Sequence, residues 1–224
     1  MLIMKRFLFV STLIILASVA RGENASNGFI ILFNIEKMTE DKSNLASRGL
    51  DDPLFAGHEN FNIEGQNLNF VYHHILNRSI HRFLDVGGSY SEYSQSQSSV
   101  GVESVFTIKP LEAQLRFGQS LASSSKLLLD AVAFLGYGIN GTAALYSEDS
   151  STGSETTQEY KISSSRFIGA GLEASFMIFD SSRIGIDFSC KIGALQLENK
   201  DNSSSKNLWA YSGYPYGFFF HYGF

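Results

Sequence analysis

The sequence predicts an all-β fold: an eight-stranded, antiparallel, up-and-down transmembrane β-barrel. Aromatic residues alternate with other residues along the C-terminal segment, and shorter apolar segments alternate in the same way through most of the chain. No internal stretch reaches the roughly 20 apolar residues of a membrane helix. Hydrophobic residues nevertheless make up 44% of the 224 residues. Apolar content divided into alternating segments is typical of a membrane barrel, whose outward side chains face lipid and whose inward side chains face a polar interior.

The last eleven residues carry the strongest signal. Aromatic side chains occupy every second position, at Tyr214, Tyr216, Phe218, Phe220, Tyr222 and Phe224. On a β-strand, this spacing places all six on one face. Large exposed apolar patches are rare on soluble monomers, so this face is expected to contact lipid.

The N-terminal segment predicts export. Lys5 and Arg6 precede an apolar run over residues 7–17, which matches the length of a signal peptide and is too short for a membrane anchor. Cleavage is expected after Ala20 or Gly22, and Gly22 is preferred because a polar segment follows it. The predicted organisation is therefore a signal peptide over residues 1–22 and a barrel over residues 23–224.

The first two strands are predicted from their alternation. Gly28–Glu36 carries four large apolar residues on one face. Phe61–Tyr72 changes phase midway, because Ile63 belongs to a different face from Leu68. A β-bulge around residues 65–67 is the predicted cause.

The next two strands follow short polar connections. Arg82–Tyr93 alternates apolar residues with serine and aspartate. Ser99–Gln119 also changes phase, and Pro110 stands at the change, where a bulge would excuse its missing N–H. A turn at Lys109-Pro110 is the alternative, and it would give ten strands.

The last four strands are separated by turn-forming residues. They are predicted over Lys126–Tyr146, Tyr160–Phe179, Ile184–Leu197 and a closing strand that ends at Phe224. The longest polar connections alternate with shorter ones. The predicted long side consists of Lys37–His58, Ser94–Ser98, Ser147–Gln158 and Glu198–Lys206. Long outer loops and short periplasmic turns are typical of bacterial barrels, and an even strand number places both termini in the periplasm.

The side chains opposite the lipid-facing sets are predicted to fill the interior. An eight-stranded barrel is only wide enough to be filled by side chains. Charges of both signs in such a space are expected to pair, because an isolated buried charge is costly. The predicted interior charge network is Asp85, Glu103, Glu112, Arg116, Asp130, Glu173, Asp187 and Lys191, with Lys109, Gln114 and His221 on the same faces.

Together, the signal peptide and the aromatic tail resemble the small outer-membrane barrels of Gram-negative bacteria: the outer-membrane protein A barrel domain, outer-membrane protein X and opacity-type surface proteins. The resemblance implies that the six tail aromatics form a barrel-assembly signal read by the barrel-assembly machinery. It also implies contact with outer-membrane lipid and lipopolysaccharide, and a structural or adhesive role through outer loops that touch host or envelope proteins. No cofactor is implied. The net charge of −5 argues against nucleic-acid binding, which requires a concentrated basic face.

Three other functions are weighed against this interpretation. A lipid A-modifying enzyme would need a polar constellation at the outer rim. The best candidate is His58 with Asp149 and Ser150, although Asp-Ser is also common turn chemistry. A small porin would need an open interior. A secreted lipocalin-like barrel would turn its apolar face inward, which the aromatic tail disfavours. The single cysteine, Cys190, excludes an internal disulfide and any metal site built on several cysteines.

Overall fold

The chain folds into one closed barrel. A computed structural model describes residues 27–40, 62–77, 81–99, 102–123, 126–179, 181–201 and 206–224. Its strands are β1 Asn27–Glu40, β2 Asn62–Asn77, β3 Arg82–Ser99, β4 Val102–Ser123, β5 Leu127–Asp149, β6 Ser154–Phe179, β7 Ser182–Asn199 and β8 Lys206–Gly223. Each strand pairs antiparallel with the next, and β8 closes the ring by pairing with β1. The predicted fold of eight antiparallel strands is therefore confirmed.

The C-terminal strand closes the barrel with its aromatic face outward. All six alternating aromatics of the tail lie on the outer surface, at least partly exposed. The ring centroid of Phe218 lies 5.4 Å from that of Phe33 on β1. The Phe224 centroid lies 5.7 Å from that of Phe29. Because Phe224 also donates its backbone N–H to the Asn27 carbonyl oxygen, the two ends of the described barrel meet at one rim.

The strands are longer than predicted on the side away from the termini. The segment predicted as a polar loop over residues 147–158 belongs largely to β5 and β6, with a turn at residues 150–153. His73 and His74, predicted in a turn, lie in β2. Most of the predicted Lys37–His58 loop lies outside the described residues, as does the predicted signal peptide.

The two predicted phase changes have a different origin from the expected bulges. The pairing of β2 with β1 and β3 runs unbroken through residues 65–67. In β4, Phe106, Ile108, Pro110 and Glu112 all face inward in one phase. The prediction of a slip within β4 is therefore wrong, and the ten-strand alternative is wrong too, because β4 continues through Pro110. The register does shift between β4 and β5, where Ile139 of β5 is the additional residue.

Glycines allow large rings to fill the interior between strands. A side chain at Gly118 would collide with the Phe83 ring, and one at Gly136 would collide with the Phe167 ring. The same arrangement joins Gly169 to Phe134, Gly185 to Phe219 and Gly193 to Tyr211. In each pair the absence of a Cβ lets an aromatic ring cover the neighbouring backbone, as close packing requires.

Candidate functional site: a two-part interior and the level at which it changes

The apolar side chains change from the outer to the inner face of every strand. Nearer the termini most of them point outward, and nearer the other end most of them point inward. Ile192 of β7 is 62% exposed, whereas Leu195, three residues further on, is 1% exposed. On each strand the change lies between one outward and one inward residue. From β1 to β8, with the outward residue named first, these pairs are Ile35 and Met38, Leu68 and Ile63, Tyr90 and Tyr93, Leu111 and Ile108, Ile139 and Ala143, Ile168 and Ile162, Ile192 and Leu195, and Tyr214 and Tyr211.

We call the level of this change the crossover. Two outward ion pairs lie at it: Lys37 pairs with Glu64 (Nζ–Oε1 3.5 Å), and Lys109 pairs with Glu92 (Nζ–Oε1 2.8 Å). On the terminal side, an apolar outer surface encloses an interior that holds the buried charges together with a small apolar cluster of Ile30, Leu32, Val71 and Phe219. On the other side, a polar outer surface encloses an apolar interior. Two different surroundings, one apolar and one aqueous, account for this reversal.

The interior beyond the crossover is a hydrophobic core. Twelve buried side chains form it: Met38, Ile63, Tyr93, Phe106, Ile108, Ala143, Tyr160, Ile162, Leu195, Leu197, Trp209 and Tyr211. Several of these, including Ile108 and Leu197, are fully buried. This core fills the part of the barrel beyond the crossover, and it explains why Ile63 and Ile108 are out of phase with the outward apolar residues of their own strands.

On the terminal side, Arg116 is the centre of a buried ion network. Its guanidinium lies 3.3 Å from the Asp85 carboxylate and contacts the Glu173 carboxylate. The second Asp85 oxygen lies 2.6 Å from Nδ1 of His73. All four side chains are nearly inaccessible to solvent. Because breaking a buried pair leaves an uncompensated charge, each of these groups depends on its partners.

A second cation, Arg183, organises the terminal rim. Its Nε donates to Nδ1 of His221 at 3.0 Å, and its Nη1 lies 3.2 Å from Nε2 of His81 and 3.7 Å from Asp130. His81 lies in the turn before β3 and has a positive φ of 41°. Burial and the neighbouring Arg183 lower the pKa of the His81 imidazole to about 4. At neutral pH this imidazole is therefore uncharged beside the guanidinium.

Lys191 marks the boundary between the polar and apolar parts of the interior. Its ammonium group lies 2.8 Å from the Glu36 carboxylate. It also lies 4.9 Å from the ring centroid of Phe167, 5.7 Å from that of Tyr211 and 5.9 Å from that of Tyr93. Tyr93 in turn donates its hydroxyl to Glu36 at 2.6 Å. The aromatic rings on one side and the carboxylate on the other both stabilise this cation at the boundary between the apolar and polar parts.

Seven of the eight residues predicted for the interior network lie buried inside the barrel: Asp85, Glu112, Arg116, Asp130, Glu173, Asp187 and Lys191. Not all of them form ion pairs. Glu112 accepts hydrogen bonds from Ser89 and Ser165, and Asp187 accepts from Asn34 and Ser189.

Two predicted interior residues lie elsewhere. Glu103 is exposed on the outer side of β4 beyond the crossover, and Lys109 lies on the same outer face, paired with Glu92. Both errors follow from the assumed slip in β4.

Sequence reasoning missed Glu36, Tyr93 and Arg183, although all three are central to the interior. Glu36 was assigned to the end of a strand, and Arg183 to a turn. Alternation along the strand could have identified two of them as inward residues: Glu36 is next to the outward Ile35, and Arg183 is next to the outward Ile184.

The candidate catalytic group of His58, Asp149 and Ser150 is not assembled among the described residues. Asp149 accepts hydrogen bonds from the hydroxyl and backbone N–H of Ser151, at 2.6 and 2.8 Å. These bonds hold the pKa of Asp149 below its usual value, as in an ordinary turn. The described histidines inside the barrel, His73, His81 and His221, lie at the opposite rim, and His58 lies outside the described residues.

Two further site types are not found in the described ranges. There, no group of three or more histidine, cysteine, aspartate or glutamate side chains is placed to hold a metal ion. Cys190 is exposed on the outer surface as a free thiol. Within the same ranges, no helix has the length and apolarity to cross a membrane.

Comparison with solved structures finds several bacterial proteins of similar chain path. The attachment invasion locus protein Ail of Yersinia pestis is 17% identical, with 89% of this chain and 100% of that chain covered and a TM-score of 0.43. Neisserial surface protein A is 11% identical, with 90% and 100% covered and a TM-score of 0.46. The outer membrane protease OmpT of Escherichia coli is 7% identical, with 91% and 99% covered and a TM-score of 0.28. No model of a protein family matches the chain, and no curated protein sequence does.

Proposed function

We propose that the protein is an integral outer-membrane barrel of a Gram-negative envelope, exported by a signal peptide over residues 1–22. The crossover is the observation that carries this proposal. Among the described residues, thirty large apolar side chains are more than a third exposed. Soluble monomers rarely expose apolar patches of even a few hundred Å². On β7, the apolar outer face runs from Ile184 to Ile192, a length that suits a tilted membrane strand of about 9–11 residues.

The proposed role is contact through the part of the barrel beyond the crossover, without catalysis or conduction. This part carries the loops and a long β5–β6 hairpin whose tip reaches the turn at residues 150–153. Its outer surface is polar and its interior is a packed core, so it forms a rigid support for surface loops. The partners that suit such a surface are host or neighbouring envelope proteins.

A closed interior supports the non-conducting part of the proposal. The hydrophobic core occupies one half of the barrel and the Arg116 and Arg183 networks occupy the other, and the cavity lined by Asn34, Arg116 and Lys191 between them measures only about 30 Å³. Reconstitution into planar bilayers is therefore expected to give no steady single-channel conductance. An open, reproducible conductance step would contradict this part and favour a small porin.

Electrophoresis of membrane-extracted protein, unboiled and boiled, tests the barrel itself. A faster unboiled band that is lost on boiling is expected from a closed, detergent-resistant barrel. Identical bands together with recovery in the soluble periplasmic fraction would refute it. Mass spectrometry of the mature N-terminus checks the proposed cleavage near Gly22 in the same sample.

The tail is proposed to act as the assembly signal. Deletion of Phe224 removes the outermost aromatic and its contact with Phe29, so less protein should reach the heat-modifiable form. A matched control is Tyr137→Ala, which removes an exposed outward aromatic from β5 instead. Equal assembly yields for the two variants would contradict a special role for the tail.

Contact through the β5–β6 hairpin is tested by shortening it. Tyr146 pairs with Thr157 in the β5–β6 register, so residues 147–156 can be replaced by an Asn-Gly turn at that pair. A control keeps the hairpin length and changes only Glu148 and Glu155 to serine. Adhesion and serum survival of expressing cells should fall with the short hairpin. Unchanged values after loss of both this hairpin and residues 41–61 would contradict the contact role, and a changed lipid A mass spectrum on expression would favour the enzymatic alternative.

A further inference from the structure

Arg166 is an exposed cation at the crossover with no acidic partner among the described residues. It lies on the outer face of β6. The other outward basic residues at this level, Lys37 and Lys109, each form an ion pair. Arg166 forms none with a carboxylate of the described strands. A charged group at the edge of an apolar layer requires a counter-charge or water, so its surroundings indicate what it binds.

The neighbours of Arg166 combine a phenol with an apolar surface. In the barrel register, Arg166 lies opposite Tyr137 of β5 and Ala194 of β7, and Tyr137 is 62% exposed. One outward position closer to the termini, Ile168 of β6 and Ile192 of β7 are exposed side by side. A guanidinium and a phenol hydroxyl therefore lie one outward position from an exposed apolar surface of the kind that acyl chains cover.

We propose that Arg166, together with Tyr137, binds the phosphate of an anionic membrane lipid whose acyl chains lie against Ile168 and Ile192. The proposal rests on the membrane location proposed above. A guanidinium presents a planar set of N–H donors that matches phosphate oxygens, and the tyrosine hydroxyl adds one donor. The apolar surface beneath Arg166 selects a lipid over a free anion. Lys161, further along β6, lies opposite Glu198 of β7, so its charge has a nearby counter-charge and it is not assigned to the site.

The test measures lipid retained by the purified, full-length barrel. The protein is reconstituted with phosphatidylcholine mixed with either phosphatidylglycerol or lipid A, transferred to detergent, and weighed by native mass spectrometry with its lipid adducts. The variants are Arg166→Gln, Arg166→Lys and Tyr137→Phe. Lys109→Gln is the matched control, because it removes the same charge at the same level from a side chain that already has a partner.

Wild type is expected to retain phosphatidylglycerol or lipid A in preference to phosphatidylcholine. Arg166→Gln should reduce this preference about fivefold, as expected for one basic side chain at an anionic lipid surface. Arg166→Lys should keep part of the preference, Tyr137→Phe should lower it less than Arg166→Gln does, and Lys109→Gln should leave it unchanged. Which anionic lipid is retained then identifies the natural source of the phosphate.

Three outcomes would overturn the assignment: no preference in wild type, an equal loss with Lys109→Gln, or displacement of the lipid by millimolar inorganic phosphate. The unboiled gel shift is recorded for every variant. A variant that keeps the shift is folded, so its loss of lipid reports on the site. Absence of the shift in wild type would instead mean that the proposed membrane barrel has failed.

Discussion

Replacement of Arg116 by methionine gives the sharpest test of the interior network. Arg116 is 2% exposed and is the cation that contacts both Asp85 and Glu173, which are equally buried. Methionine keeps much of the side-chain volume but leaves two buried carboxylates without their cation. Removal of one partner from a buried ion pair costs about 3–5 kcal/mol, so the free energy of unfolding should fall by about that amount at neutral pH.

The assay is denaturant unfolding in lipid vesicles, followed by tryptophan fluorescence. Trp209 is the single tryptophan of the chain and lies in the hydrophobic core beyond the crossover, so it reports on unfolding without direct contact with the mutated site. Lys109→Met is the control, because its ion pair with Glu92 is about 40% exposed on both sides and such pairs contribute about 0.2–1 kcal/mol.

A triple variant separates lost charge balance from lost packing. Arg116→Met combined with Asp85→Asn and Glu173→Gln removes the whole charged group, and replacement of a complete buried ion group is often neutral. Most of the lost stability should therefore return. If Arg116→Met costs no more than Lys109→Met, or if the triple variant is less stable than the single one, the network does not balance charge as described here.

Three further predictions follow from the crossover, the glycine–ring pairs and the terminal rim. Leu197→Ala, in the core beyond the crossover, should cost about 2–5 kcal/mol in the same unfolding assay, whereas Leu172→Ala on the lipid-facing surface should cost clearly less, and equal costs would contradict the two-part interior. Gly118→Leu should slow or prevent formation of the heat-modifiable band, because its side chain would collide with the Phe83 ring, and Phe83→Ala in the same chain should restore the band. Because the pKa of His81 is lowered to about 4, the unfolded chain binds more protons between pH 6.5 and 4, so stability should decrease as the pH falls through that window and stay lower beneath it. His81→Gln should flatten this part of the pH profile of unfolding free energy, and an unchanged profile would assign the dependence to other groups.

The alternation of apolar and polar residues was sufficient to predict the fold. It did not predict the level at which the apolar residues change from the outer to the inner face of each strand. The tail, β1 and β3 could be assigned because their outward residues stay in one phase through most of the strand. In β2 and β4, Ile63 and Ile108 face inward while Leu68 and Leu111 face outward. Sequence reasoning interpreted each change as a bulge, because a shift of one position in the apolar pattern is the usual sign of an inserted residue. A change of surroundings from lipid to water produces the same pattern without any insertion.

The interior network was predictable only where the inward and outward faces of a strand were assigned correctly. Asp85, Arg116 and Glu173 lie well inside lipid-facing segments, so the opposite face could be assigned. Glu103 lies beyond the crossover, where the polar side is the outer one. Contacts such as Arg116 with Glu173 join strands that are not neighbours in the ring. Such contacts depend on barrel closure and radius, which no local pattern contains.

In the proposed membrane location, the crossover also fixes how deep the barrel sits. If the molecule moved along its axis toward the terminal side by two residues, charges such as Lys37 and Glu64 would enter hydrocarbon. A move the other way would bring the outward apolar side chains next to the crossover, such as Ile35 and Ile192, into water. Each displacement raises the free energy, so the protein has one preferred immersion depth, encoded in all eight strands at once. The height at which its loops stand above the membrane is then a property of the barrel wall, and changes in loop length or sequence can vary the surface that is displayed without altering that height.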